Sequence, residues 1–383
     1  MRIGIIGAGH AGVEAARVAR AAGADVVLYS AEAVTPYYRP RLVALAFGHA
    51  EVEGISLHPP EWYAAQGIDL RLSTPVESYR AETREVVVGG RTEAFDGLIV
   101  TNGALPVVPP FARTGGQAIW PLWNVDHARE IRKRVRPGAR LAIVGGGILG
   151  IEAALRGLEA GMTVTIIELL DRLMPAQFGA RASEVLLRRL RARGIHVRLG
   201  HGVKATTGDG TMAHLTLGDG HSLEAELCLV SIGARPDTRS ATTGGLETDR
   251  GVIVNPVLQT RHAACFAAGD VIQFDGVTRC SMKEATSQGR IAGLNVVAAL
   301  QGRELQSYLP ETMLLSFRAK DFEIYSLGQP GGVGCEEHLL DGMTESVIRA
   351  LIMKDGIPLG VQMIGTREGF DGYAAAVKHG KKA

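Results

Sequence analysis

A short apolar run, a glycine cluster and a stretch of apolar residues at helical spacing follow one another twice along the chain. The first copy predicts a strand from Arg2 to Ile6, the turn Gly7-Ala8-Gly9-His10-Ala11-Gly12, a helix over Val13 to Ala22 ended by Gly23, and a strand from Asp25 to Tyr29. The second predicts a strand from Arg140 to Val144, the turn Gly145-Gly146-Gly147-Ile148-Leu149-Gly150, a helix over Ile151 to Ala160 ended by Gly161, and a strand from Thr163 to Ile167. Between them, Asp69 to Leu72, Glu85 to Val88 and the apolar run Gly97 to Val100 read as strands, and the Pro/Gly-rich stretch 106–116 reads as a boundary. Later come a strand from Leu227 to Ile232, a strand from Cys265 ending in Gly269-Asp270, and a helix over Met282 to Leu300. From Gln306 the pattern changes to short strands at Thr312 to Phe317, Phe322 to Leu327, Ser346 to Met353 and Pro358 to Ile364, with a closing helix near Tyr373 to Val377. The pattern predicts an α/β protein with two Rossmann-like dinucleotide-binding domains and a small C-terminal α+β domain.

Each glycine of such a turn has its own task. The first (Gly7, Gly145) permits the tight turn, the second (Gly9, Gly147) lets a pyrophosphate approach the backbone, and the third (Gly12, Gly150) lets helix and strand pack closely. Ile148 and Leu149 lie inside the second turn, at the helix N-terminus that would receive the phosphates. An acidic residue at the end of the next strand completes the motif by accepting from the ribose hydroxyls. In the second unit that residue is Glu168, whose charge favours NADH over NADPH by repelling a 2′-phosphate, although Arg172 lies close in sequence. In the first unit the position holds Ser30, with Glu32 two residues on, and either could contact the ribose.

With 383 residues, 46% of them apolar, the chain suffices for about two or three domains. A net charge of +1 gives no global field for nucleic acid or an anionic membrane. The longest apolar runs fall short of the roughly 18 residues a membrane helix needs, and Met1-Arg2 leads directly into the first strand without a leader pattern, so a cytoplasmic protein is expected. The four cysteines, Cys228, Cys265, Cys280 and Cys335, form no close pair, and Cys335 with His338 is too few ligands for a metal site, so none is expected. No nucleophile elbow, Walker A loop or H-E-x-x-H occurs, and the eleven histidines are scattered.

Taken together, these motifs resemble those of the FAD-dependent pyridine nucleotide–disulfide oxidoreductase superfamily. The likeness rests on both glycine turns, on Leu98-Ile99-Val100-Thr101-Asn102-Gly103-Ala104, on Ser231-Ile232-Gly233-Ala234-Arg235-Pro236, and on Phe266-Ala267-Ala268-Gly269-Asp270 followed by Gln288-Gly289. Tyr37-Tyr38-Arg39-Pro40 and the closing strands are similar to the NADH:rubredoxin reductase and nitrite reductase flavoprotein branch. The resemblance implies FAD in a discontinuous domain, 1–108 with 232–305, NADH in 109–231, and a small domain over 306–383. It further implies that Arg39, Val76, Thr101, Gly103, Gly269 and Asp270 contact FAD, and that Gly233 joins the NADH site. Glu152 and Lys283 correspond to positions near the flavin; each could equally be an ordinary charge on its helix.

The departures narrow the chemistry. Disulfide reductases of this superfamily carry a close cysteine pair, and its peroxidases a single cysteine, yet the corresponding stretch Arg41 to Gly48 contains no sulfur. A thiol relay is therefore not expected, because a thiolate is its obligatory nucleophile. No side chain need act catalytically, and electrons from NADH would pass through the flavin to a bound acceptor. The expected acceptor is a small acidic electron-transfer protein, rubredoxin or ferredoxin, which basic stretches at Arg188 to Arg193 and Lys378 to Lys382 could steer. An NADH oxidase, a ferredoxin reductase component and a flavin-bearing NADH sensor are the alternatives, as monomer or homodimer.

Overall fold

Both glycine turns grow out of strands whose side chains are hidden on both faces, as the uninterrupted apolar runs predict for a parallel sheet. Ile3, Ile5 and Leu28 in the first copy and Ile143, Val164 and Ile166 in the second are fully buried. The computed structural model describes residues 1–113, 116–320 and 322–380. Along the chain run β1 (Arg2–Ile6), α1 (His10–Ala21), β2 (Asp25–Tyr29), β3 (Ile68–Arg71), β4 (Gly97–Val100), β5 (Ile119–Pro121), β6 (Arg140–Val144) and α2 (Ile148–Glu159). Next are β7 (Thr163–Ile167), α3 (Ala180–Ala192), β8 (His196–Arg198), β9 (Leu227–Val230), β10 (Cys265–Ala267) and α4 (Met282–Leu300). Finally come β11 (Leu314–Ala319), β12 (Phe322–Gly328), β13 (Glu336–Leu339), β14 (Ile348–Lys354), β15 (Ile357–Ile364) and α5 (Phe370–His379). No described helix is long and apolar enough to cross a membrane.

The chain forms two compact units. One comprises Met1–Leu42, Ala50–Val107 and Gly233–Glu311; the other comprises Val43–His49, Val108–Ile232 and the described residues from Thr312 onward. The first unit holds a parallel sheet in the order β10-β4-β1-β2-β3. Its strand β1 lies between β2 and β4, so the chain reverses its winding at the first glycine turn, and ligands of such sheets gather at this point. Helices α1 and α4 pack side by side on the sheet, and their closest approach depends on glycine. A methyl group at Gly289 would stand 2.2 Å from the Ala11 carbonyl oxygen, and one at Gly293 would stand 2.5 Å from that of Ala15.

In the second unit the parallel order is β8-β7-β6-β9-β5, again with the glycine-turn strand in the middle. A meander over Val203–Gly208, Ala213–Leu217 and Ser222–Ala225 covers part of its core, burying Ala213, Leu215 and Leu217. The same unit contains an antiparallel sheet in the order β11-β12-β15-β14-β13, with α5 against it and Tyr325, Val361, Met363 and Phe370 in its core. The helix expected over Met282 to Leu300 has those bounds, whereas the strand expected from Thr312 runs from Leu314 to Ala319. The edge strand β13 and the meander were not anticipated. Lys381 and Lys382 of the C-terminal basic stretch, and part of the 106–116 boundary, lie outside the described residues.

Candidate functional site

At the first turn, α1 begins from Gly9 with no side-chain cap and no acid in its first turn, which leaves its N–H groups and dipole directed outward. A methyl group at Gly12 would come 1.9 Å from the Gly7 carbonyl oxygen and one at Gly7 2.4 Å from that of Thr101, whereas at Gly9 nothing lies within 4 Å. Two glycines thus close the loop and the middle one opens it, which suits a bound pyrophosphate. Thr101, buried beneath, donates from Oγ1 to the carbonyls of Gly7 at 2.8 Å and Ile6 at 3.0 Å. Its direct role is to fix the loop.

Two groups of side chains flank this loop. Beyond β2, Ser30 is buried and its Oγ accepts the Glu32 N–H at 3.2 Å, while Glu32 accepts from the Tyr37 hydroxyl at 2.7 Å and faces Arg39 at 3.6 Å. Glu32 therefore presents an oriented carboxylate, and Ser30 supports its backbone. Val76 packs against the core nearby in sequence to Thr74, whose N–H bonds the Ser30 carbonyl. On the other side, beyond β4 and β10, lie Gly103 (φ +76°) and Gly269, whose N–H donates to Gln288 Oε1 at 2.8 Å. Burial pushes the Asp270 carboxyl up to about 6 against the opposing pull of Arg39. Lys283 is ion-paired with Glu311.

His10 was passed over as one of many scattered histidines. It is the first residue of α1, its ring meets Tyr38 edge-on at 5.3 Å, and its buried Nε2 has no partner among the described residues. Burial, and then Arg39, hold its pKa down to about 4, so it is neutral at physiological pH. Its position inside the glycine turn was the available signal.

The second turn repeats the construction. Helix α2 starts from Gly147 without a side-chain cap or a first-turn acid, and Ile148, Leu149 and Gly150 form its first turn. A methyl group would clash at Gly145 and Gly150, at 2.1 Å and 2.2 Å from carbonyl oxygens, and would meet nothing within 4 Å at Gly147. Glu168 follows β7, and its carboxylate accepts from the N–H groups of Gly146 at 2.7 Å and Leu170 at 2.9 Å. Those bonds aim its charge at the turn, while Arg172 is paired with Asp171 at 3.2 Å. Glu152 lies one turn into α2, and burial lifts its carboxyl to about 7 against the influence of Arg156. Gly233 belongs to the first unit, where its carbonyl accepts the Val107 N–H at 3.0 Å.

The basic stretch on α3 is engaged within its own unit. Arg189 donates to the Ser346 carbonyl at 2.7 Å, Arg191 to that of Val197 at 3.2 Å, and Arg193 stands over the Phe322 ring. All four cysteines are free, and burial pushes the Cys228 and Cys265 thiols up to about 12. No cluster of three or more metal-ligating side chains occurs among the described residues.

The profile of the pyridine nucleotide-disulphide oxidoreductase family matches residues 1–293. The chain is 31% identical over 276 residues to a rubredoxin-NAD(+) reductase of Pseudomonas putida, covering 70% of this chain and 71% of that one. It is 26% identical over 328 residues to a nitrite reductase [NAD(P)H] of Bacillus subtilis, where the match takes in 85% of this chain but 40% of the relative. The fold matches the covalent putidaredoxin reductase–putidaredoxin complex with a TM-score of 0.87 at 24% identity, over 99% of this chain and 93% of that one. The chain belongs to the pyridine nucleotide-disulphide oxidoreductase family, as an FAD-dependent enzyme that oxidises a nicotinamide nucleotide.

Proposed function

We propose that this protein takes a hydride from NADH onto FAD and passes the electrons to a small electron-transfer protein of the rubredoxin or ferredoxin type. The observation that carries the reading is the presence of two open glycine cradles, each at an uncapped helix, in a chain with no sulfur from Arg41 to Gly48. FAD, when bound, supplies a ring that accepts a hydride and gives up electrons singly. In the first unit, Gly9 and the α1 N–H groups would hold its pyrophosphate, Glu32 its adenosine ribose, and Gly269 and Asp270 the chain leading to the ring. Arg39 lies between these ends, paired with Glu32 and close enough to stabilise the Asp270 carboxylate. In the second unit, Gly147 and α2 would receive the nicotinamide nucleotide, and Glu168 would accept from its ribose hydroxyls.

The preference for NADH rests on Glu168. Its carboxylate is fixed by two backbone N–H groups, so it cannot swing away from a 2′-phosphate without losing both. The partner reading draws on the rubredoxin reductase and putidaredoxin reductase likenesses. Anaerobic titration with each nucleotide, followed by addition of oxidised rubredoxin or a [2Fe–2S] ferredoxin, tests both parts. We expect NADH, and not NADPH, to bleach the oxidised flavin band stoichiometrically, and the partner to restore it. Equal bleaching by both nucleotides would remove the Glu168 argument; restoration by oxygen alone would remove the partner.

A further inference from the structure

Helix α4 extends past the first glycine turn. It runs parallel to α1 with Gly289 beside Ala11 and Gly293 beside Ala15, so its first residue, Met282, lies six residues, about 9 Å, further out than the start of α1. It follows β10, on the side of the turn away from β2 and Glu32. With the adenosine at Glu32, the ring half of the cofactor would be received on the α4 side of the turn.

The cap of this helix is unusual. Ser281 accepts the Glu284 N–H at 3.5 Å, the first half of a capping box, in which the Glu side chain would accept the Ser N–H in return. Here the Glu284 side chain turns to Arg279 instead. Its side chain is 5% exposed, with Oε1 3.3 Å from Arg279 Nη1 and Oε2 buried without a partner among the described residues. A buried carboxylate oxygen without a donor is costly unless the group holds a proton or a donor arrives. The charged and titratable groups around it are Arg279 from the preceding loop, Asp270 beyond β10, Tyr308 and Glu311 from the segment after α4, and Lys283, paired with Glu311.

We propose that Glu284 is a proton-holding residue for the bound flavin: its carboxylate takes a proton from solvent when negative charge builds on the adjacent ring and returns it when the electrons leave. The inference rests on the FAD reading above. The hydride from NADH brings two electrons and one proton to the ring and leaves one net negative charge there. The proton on Glu284 offsets that charge and comes from solvent. As two electrons pass to the acceptor, the ring releases the hydride-derived proton and Glu284 releases its own. Burial already raises the Glu284 carboxyl above the ordinary carboxylate range, and a nearby anion raises it further. Extra uptake therefore occurs only above its pKa with oxidised flavin and below its pKa with reduced flavin.

The test is anaerobic reduction of the FAD-loaded protein by reduced methyl viologen, which gives up electrons without protons, in weakly buffered solution between about pH 6 and 9, with an indicator dye counting protons taken up per flavin bleached. The ring itself takes one. In the wild type the count rises toward two within a pH window, and in Glu284→Gln it stays at one throughout. A wild-type count of one at every pH overturns the proposal without recourse to the variant, and so does an identical window in both proteins. If the wild-type protein retains no FAD, the reading of the first unit fails, and this inference fails with it.

Discussion

Glu152 shows how a single residue can conflict with its surroundings. A carboxyl pushed up to about 7 by burial is bound to its proton in the folded protein at pH values where the unfolded chain has already released it. The folded state therefore carries the extra proton between about pH 4.5 and 7, and stability falls as pH rises through that window and levels off above it. The full loss is of the order of 3 kcal/mol. Glu152→Gln keeps the shape and removes the charge. We expect the variant to match the wild type near pH 5 and to exceed it by about 1–3 kcal/mol above pH 7, as measured by denaturant unfolding across that range; a constant difference would show that burial of the charge is not the cause. The position was legible in the sequence, but the shift was not, because it depends on how much of the surrounding water is removed. His10 was missed for the same reason: its place in the glycine turn was visible, and its buried, unpartnered nitrogen was not.

Secondary-structure elements were legible where one physical cause dominated. Helix α4 carried a largely apolar second half running to Leu300, and both expected ends, Met282 and Leu300, are observed. Strand β13 carried no such signal. It is an edge strand whose residues Glu336 and His338 are exposed, so Glu336-Glu337-His338-Leu339 lacks the alternation that marks a half-buried strand. What the pattern could not convey was the closeness of α4 to α1. Gly289 was readable only as part of the Gln288-Gly289 motif, yet a methyl group there would stand 2.2 Å from the Ala11 carbonyl oxygen. Gly289→Ala would force the two helices apart beside the first glycine turn. We expect a loss of about 1–3 kcal/mol in denaturant unfolding together with weaker FAD retention on dilution. Full stability with normal FAD retention would mean that α1 and α4 separate without cost.

At the scale of the molecule, charge decides how a partner is found. The net charge is +1, and the arginines of α3 that looked available for an acidic partner are held by Ser346, Val197, Phe322 and Glu184 within their own unit. Long-range steering needs a substantial field of one sign, and such fields raise association rates by roughly 10- to 1,000-fold at low salt. This chain offers little of that field, so recognition should depend on short-range fit once the partner has arrived. Salt at about 0.5 M screens charges beyond a few ångströms and would abolish steering while sparing contact-range complementarity. The second-order rate of electron transfer from the NADH-reduced protein to an acidic rubredoxin or ferredoxin should accordingly fall by less than about tenfold between low salt and 0.5 M. Stopped-flow measurement of that rate at several salt concentrations decides the point. A hundredfold fall would reveal a basic docking face assembled from residues distant in the chain, a feature that neither net charge nor the runs of arginine and lysine in the sequence would disclose.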